Sequence, residues 1–250
     1  MAELNWDDFA SEHICRILDE ATSGRGRELY VMAALLHDVG KATPAFQLKG
    51  MASPELVAPV QMVGLSLPPS LRGKPWPHGN AGAFIVRRAL QRHRAVGLEW
   101  LSAVIQGHHG RFGKTPVRAP RAHGDSNWTN AQDLLVESVT SAFGISLDNW
   151  SVGPVSRGVQ MAVSGFVMMA DWIASGDGFP GLGLDVEPTV EQARERAARA
   201  WQYLDLRGRW NLHEAVSDRR AFQDRFGYPP RPLQASAVEM AMNMHAPGFW

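Results

Sequence analysis

Apolar positions along this chain recur mostly at helical spacing. Residues 12–20 place them on one side and stop before Ser23-Gly24-Arg25-Gly26, which predicts a short amphipathic helix. Residues 29–36, LYVMAALL, are apolar all round, so a helix there is central, bounded by Gly40 and Pro44. Residues 50–76 are rich in Pro and Gly and read as a long loop with at most one short helix. Pro77 stands where a helix can begin, and residues 78–93 keep their apolar side chains on one side. Further helices are expected over 98–106, 130–143, 159–174 and 189–204, with a polar, two-proline loop over 110–130. Beyond residue 206 the pattern weakens, and alternation around 201–210 is too short to define a strand. No repeat and no low-complexity segment is visible. The expected fold class is all-α, with one domain over residues 1–205 and a linker over 206–250.

Composition narrows the partners. The 250 residues carry 25 basic and 25 acidic side chains, so a nucleic-acid footprint must be local. Two local runs exist: Arg87, Arg88, Arg92 and Arg94, then Arg111, Lys114, Arg118 and Arg121 with no acid before Asp125. The single cysteine, Cys15, excludes an internal disulfide and a cysteine-rich zinc site. The N-terminus is acidic and lacks the apolar stretch of a secretory signal. No uninterrupted apolar run approaches the ~18 residues of a membrane span. A cytoplasmic location without a membrane partner is expected.

The chemistry concentrates where apolar runs stop. The run before LLHDVGK ends abruptly on His37-Asp38, and two buried polar groups there are costly unless something binds them. Asp171 sits inside the apolar stretch GFVMMADWIA and needs a cation or donors if buried. His108-His109 lie in QGHHG, where a glycine-flanked turn lets both reach one cluster. His78 follows a loop and opens a helix. Each has a bland reading alone: a satisfied core histidine, a capping aspartate, a polar loop, a surface lysine at Lys41. Together they offer imidazole and carboxylate ligands without thiolates, which suits Mn, Fe, Co, Ni or a zinc-like ion rather than calcium. There are enough ligands for two ions, and a carboxylate can bridge them.

Four stretches in this order, LLHDVGKATPAFQ, WPHGNAGAF, IQGHHGRFG and VSGFVMMADWIAS, resemble the HD nuclease domain of the CRISPR-associated helicase-nuclease of type I systems. HDVGK alone resembles the wider HD phosphohydrolase superfamily. The resemblance spans about residues 10–205 and implies an all-α HD bundle that holds one or two divalent transition metals (Mn, Fe, Ni or Co, with Mg possible). It implies His37 and Asp38 as paired ligands, Asp38 as the bridge, His78, His108 and His109 at a second metal, Asp171 as the distal carboxylate, and Lys41 as the lysine beside the site. The family also has a histidine on its opening helix. Here His13, 24 residues before His37, is the candidate. Residues 226–241, FGYPPRPLQASAVEMA, resemble the lead-in to the helicase lobe, yet no GxxxxGK[ST] phosphate loop occurs in this sequence.

The function expected is therefore metal-dependent hydrolysis of single-stranded DNA in CRISPR antiviral defence. Asp38 and Lys41 are the catalytic candidates. Arg111, Lys114, Arg118 and Arg121 would follow the strand backbone, and Trp76, Phe112 and Trp128 would stack bases. Expected partners are single-stranded DNA, an RNA-guided surveillance complex, and a helicase in the same or a separate chain. The rivals are a nucleotide phosphohydrolase on the same site and a catalytically weak docking module.

Overall fold

The computed structural model describes residues 1–50, 54–113, 116, 118–179 and 188–204, together with residues 222, 223, 227–232, 234–236 and 239. The chain forms two units, Met1–Leu206 and Arg207–Trp250. In the second unit the Ala235 amide donates to the Arg231 carbonyl, one helical hydrogen bond in the segment 226–241. Much of that segment, and most of the alternation at 201–210, lies outside the described residues.

Ten helices form among the described residues of the first unit: α1 Ala2–Phe9, α2 Glu12–Thr22, α3 Gly26–Leu36, α4 Pro44–Gly50, α5 Pro54–Met62, α6 His78–Arg92, α7 Leu101–Gly107, α8 Ser126–Ala142, α9 Arg157–Ala174 and α10 Val190–Tyr203. Among the described residues there is no strand beyond an isolated bridge between Val96 and Ser151. No described helix is long and apolar enough to cross a membrane. Caps fix several starts. Ser11, Ser156 and Asp125 accept backbone amides at the N-termini of α2, α9 and α8, and Thr189 and Gln192 form a capping box on α10.

Two helices escape the periodicity argument. α1 is short and acidic, and its face shows only through Asn5 and Trp6, which are buried. α4 begins at Pro44, expected to be a stop. Proline suits a first helical position as well as a terminus, since its missing N–H is unneeded there. α8 also begins earlier than residue 130, because Asp125 caps it with bonds from Asn127 N and Trp128 N.

The main core joins α2, α3, α6, α7 and α9 through Leu18, Leu29, Met32, Leu36, Ile85, Ile105, Val163 and Val167. α3 is central, as its all-round apolar sequence requires. One polar group is locked into this interior: Asn5 donates to the Tyr30 hydroxyl and to the Phe166 carbonyl, both at 2.9 Å, tying α1 to α3 and α9.

Backbone contact positions the residues after α3. The 3-10 turn Val39–Lys41 lies directly on the start of α6: a Cβ on Gly40 would stand 1.9 Å from the His78 carbonyl oxygen and 2.4 Å from Gly82 N. A Cβ on Gly79 would stand 2.6 Å from the Gln106 carbonyl oxygen, so the start of α6 is equally close to α7. These glycines let three segments meet at backbone distance. Gly40→Ala is expected to cost about 3 kcal/mol of stability, because α6 itself must move. Urea denaturation of the two proteins measures it.

A second, smaller core holds Trp76 and Ala122, with Trp128 in a third. The Trp76 indole donates to His123 Nδ1 at 3.3 Å, and the Trp128 indole to the Ser66 carbonyl at 2.7 Å. Both tryptophans are buried, so neither is a stacking platform, contrary to the sequence expectation. Accepting from Trp76 keeps the His123 ring neutral. Burial, helped by the Arg88 charge, pushes its pKa down from 6.5 to about 4. A folded-state pKa below the unfolded one means that the unfolded chain takes up this proton first. Stability is then full above the ordinary value of 6.5 and falls as pH drops toward about 4. His123→Phe should flatten the pH dependence of the denaturation midpoint across that window, beside a pH-independent loss from the unpaired Trp76 N–H.

Candidate metal centre

His37 and Asp38 leave the end of α3, and His78 opens α6. His108 and His109 leave the end of α7, and Asp171 projects from the last turns of α9. The helix ends converge because their cores pack together, which brings chain segments over a hundred residues apart to one point.

Two histidines are aimed by the same device. His37 Nδ1 lies 2.6 Å from the Ala34 carbonyl, and His108 Nδ1 lies 2.6 Å from the Ile105 carbonyl. A carbonyl only accepts, so each Nδ1 carries a proton and each Nε2 points inward, where the neutral ring offers its lone pair. Metal-ligating histidines are commonly held this way.

The inward atoms form two groups, each with its donor atoms within 4.8 Å of one another: His37, Asp38 and Asp171, and His78, His108 and His109. In the first, His37 Nε2 is 3.4 Å from Asp38 Oδ2 and 3.4 Å from Asp171 Oδ1. In the second, His78 Nε2 is 3.2 Å from His108 Nε2 and 2.9 Å from His109 Nε2. Asp38 faces both groups. Its Oδ1 is 3.4 Å from His78 Nε2 and 3.8 Å from His108 Nε2, while Oδ2 receives the Lys41 ammonium at 2.5 Å.

Electrostatics set the protonation states. Burial works against the Asp38 anion, but His37 and Lys41 outweigh it and hold the carboxyl well below the usual carboxylate range. Burial pushes His78 down to about 4, with the His108 and His109 rings and Lys41 adding to it against Asp38. Burial also lowers His108. Burial disfavours a charged His37, yet Asp38, the Ala34 carbonyl and Asp171 together lift its pKa above the ordinary value. At neutral pH the site therefore presents neutral His78 and His108 beside an anionic Asp38.

Two of these inward atoms are orphans. His37 Nε2 and Asp38 Oδ1 are buried without a hydrogen-bond partner. A buried polar atom left unpaired costs about 1–3 kcal/mol, and here both face other donors to a cation. With nitrogen and oxygen ligands only, the residues fit a divalent metal ion.

His13 does not join them. On amphipathic α2, Ile14 and Leu18 take the core side, which leaves His13 exposed with its Nδ1 3.4 Å from Arg16. The expectation of a ligand from the opening helix is not met by this geometry. Lys41 stands beside the site, as its spacing from Asp38 suggests. Arg111, Arg118 and Arg121 are exposed on the segment after His109, and Lys114 lies outside the described residues. Phe112 is half-exposed and packs on Gly107, next to His108. Three residues of the other basic run are spent on structure: Arg88 and Arg92 pair with Asp133 at 2.7 and 2.8 Å, and Arg87 donates to the Pro116 carbonyl at 2.6 Å, while Arg94 is exposed.

Two further residues inside the quoted stretches, Gln106 in IQGHHGRFG and Phe46 in LLHDVGKATPAFQ, also shape the site. Gln106 Nε2 donates to Asn80 Oδ1 at 2.7 Å while its Oε1 accepts from Gly113 N at 3.2 Å, tying the segment after His109 to α6. Phe46 meets the His78 ring at a centroid distance of 5.3 Å.

Comparison with known proteins agrees with this geometry. The family model described as "Cas3, HD domain" matches residues 1–179. The CRISPR-associated nuclease/helicase Cas3 of Streptococcus thermophilus is 26% identical over 283 aligned residues, covering 100% of this chain and 29% of the relative. The CRISPR-associated endonuclease/helicase Cas3 of Thermus thermophilus is 30% identical over 207 residues, covering 79% of this chain and 21% of the relative. The chain thus spans less than a third of the length of these curated relatives. Among solved structures, one described as a CRISPR-associated protein superimposes with a TM-score of 0.69 at 23% identity, over 98% of this chain and 28% of its own. T. fusca Cas3 superimposes with a TM-score of 0.57 at 18% identity, over 95% and 27%. At these identities the structures show a shared fold. The family match over residues 1–179 settles the kinship that the convergent HD residues indicate: the chain belongs to the HD-domain family of Cas3.

Proposed function

We propose that this chain is a metal-dependent nuclease that hydrolyses single-stranded DNA in CRISPR antiviral defence. The observation that carries the reading is Asp38, one carboxylate whose two oxygens face two separate ligand groups. His37 and Asp171 would hold one ion and His78, His108 and His109 a second, with Asp38 shared. A bound divalent ion supplies Lewis acidity at a phosphoryl oxygen and lowers the pKa of water to make a nucleophile at neutral pH.

The protein's own groups do the rest. The Ala34 and Ile105 carbonyls fix the rings of His37 and His108, so no reorientation is needed on binding. Lys41 holds Asp38 in place and puts a positive charge beside the phosphate position. Arg111, Arg118 and Arg121 give the strand backbone a cationic path leading from His109. The relatives are named nuclease/helicases, and T. fusca Cas3 and a structure described as "CRISPR RNA-guided surveillance complex, pre-nicking" share this fold at TM-scores of 0.57. We assign this chain the same setting, with a helicase in the same or a separate chain feeding it strand.

Chelator-stripped protein incubated with circular single-stranded DNA should cut only after Mn, Fe, Co, Ni or Mg is restored. Asp38→Asn should lower the rate by at least about 100-fold, the upper end of what removing an outer-shell metal partner costs. Circles that survive every metal, on protein that holds none by elemental analysis, would sink the nuclease reading and leave a docking role. Metal bound without DNA cutting would direct the assay to nucleotides.

His13→Ala should leave both metal content and cutting unchanged, because the ring points to solvent. A loss of bound metal in that variant would show that α2 moves to close the site.

A further inference from the structure

α4 sorts its residues in an unusual way. Ala45 and Leu48 are buried, three apart on one face. Phe46 and Lys49, also three apart, occupy another face, with Phe46 half-buried and Lys49 exposed. A surface face of a short helix gains little from phenylalanine. This phenylalanine stands against the metal centre, its ring centroid 5.3 Å from that of His78. Two ammoniums approach the same ring: Lys41 Nζ at 5.8 Å and Lys49 Nζ at 5.5 Å from the centroid. Lys41 is committed to Asp38. Lys49 has no carboxylate within ion-pair distance among the described residues, and its exposed stem can swing aside at little cost.

An aromatic ring packed on a candidate metal ligand, with an ammonium beside it that meets no carboxylate among the described residues, is the chemistry that recognises one nucleotide: a π-face for the base and a cation for its phosphate. We propose that Phe46 and Lys49 form a nucleotide-binding step beside the metal centre, in which the base of the nucleotide adjoining the cleaved phosphate stacks on Phe46 and Lys49 holds the neighbouring phosphate. The step rests on the single-strand nuclease reading. It is separate in sequence from the basic segment after His109, so the strand is held from two segments.

Anisotropy of a labelled single-stranded oligothymidine in chelator tests binding without cutting, on the full chain, beside an abasic strand of equal length. Phe46→Leu should weaken oligothymidine binding at least about fivefold, the low end of one lost stacking contact. It should leave abasic binding as in the wild type. Phe46→Tyr, which keeps the ring, should retain the preference for bases. Lys49→Glu should weaken both strands and reduce the slope of log affinity against log salt by about 0.7, one phosphate contact. Equal losses on both strands for Phe46→Leu, or an unchanged salt slope for Lys49→Glu, would overturn the step while leaving the nuclease reading intact. Wild-type protein that binds neither strand in chelator would overturn the step, while the nuclease reading rests on cutting of circular single-stranded DNA after metal is restored.

Discussion

The site exists because an anion is held where the fold does not fully satisfy it. Asp38 is paired to one cation, Lys41, and its other oxygen is buried without a partner while facing two imidazoles. A carboxylate in such a place would normally neutralise itself by taking a proton. Here His37 and Lys41 outweigh burial and keep it charged. The cost of holding these polar atoms together is carried by the packing around them. α3, α6, α7 and α9 bury a continuous apolar core, and the polar cluster stands only at their ends. About 2 kcal/mol or more of orphaned polar atoms is tolerable to a chain of this size, and a divalent ion would recover it on binding.

The histidines show how the same scaffold divides two jobs. Carbonyls of the turn preceding each ring, Ala34 for His37 and Ile105 for His108, accept a hydrogen bond from Nδ1–H and set the direction of Nε2. Glycines then set the distance. Gly40 and Gly79 allow the 38–41 turn and the end of α7 to approach the start of α6 at backbone contact, which brings His78 within 3.2 Å of His108 and 3.4 Å of Asp38. Orientation thus comes from local hydrogen bonds and spacing from long-range packing. A residue that offers no ligand atom, such as Gln106 with its bonds to Asn80 and Gly113, shapes the site through the second of these.

This division explains what the sequence disclosed. The helices α2, α3, α6 and α9 were legible because their apolar faces are wide and their ends are marked by Ser, Gly or Pro. His37, Asp38, His78, His108, His109 and Asp171 were legible as polar residues breaking apolar runs, and the structure gathers all six. α1 and α4 were not: α1 shows a face only through Asn5 and Trp6, and Pro44, which reads as a stop, opens α4. His13 misled for a related reason. Its proximity in sequence to a helix start says nothing about which side of that helix it occupies, and Ile14 and Leu18 had already claimed the inner side. Trp76 and Trp128 misled because an indole reads the same in a sequence whether its N–H meets water or a buried acceptor; the acceptors, His123 and the Ser66 carbonyl, are distant in the chain.

A chain of zero net charge acquires a cationic face by choosing which charges to cancel. Arg27 and Arg194 share Glu3 between α1, α3 and α10, and Arg88 and Arg92 share Asp133 between α6 and α8. The solvent-facing members of these pairs add little stability, roughly 0–1 kcal/mol each, while Arg88–Asp133 is partly buried; in all of them the acid cancels the arginine charge. Arg111, Arg118, Arg121 and Lys49 have no carboxylate within ion-pair distance among the described residues. Their charge is therefore not cancelled at close range by a described carboxylate. Counting charges along the sequence gives zero, whereas pairing them in space leaves these cations uncancelled, as the proposed nuclease reading would require of groups that meet a phosphate backbone.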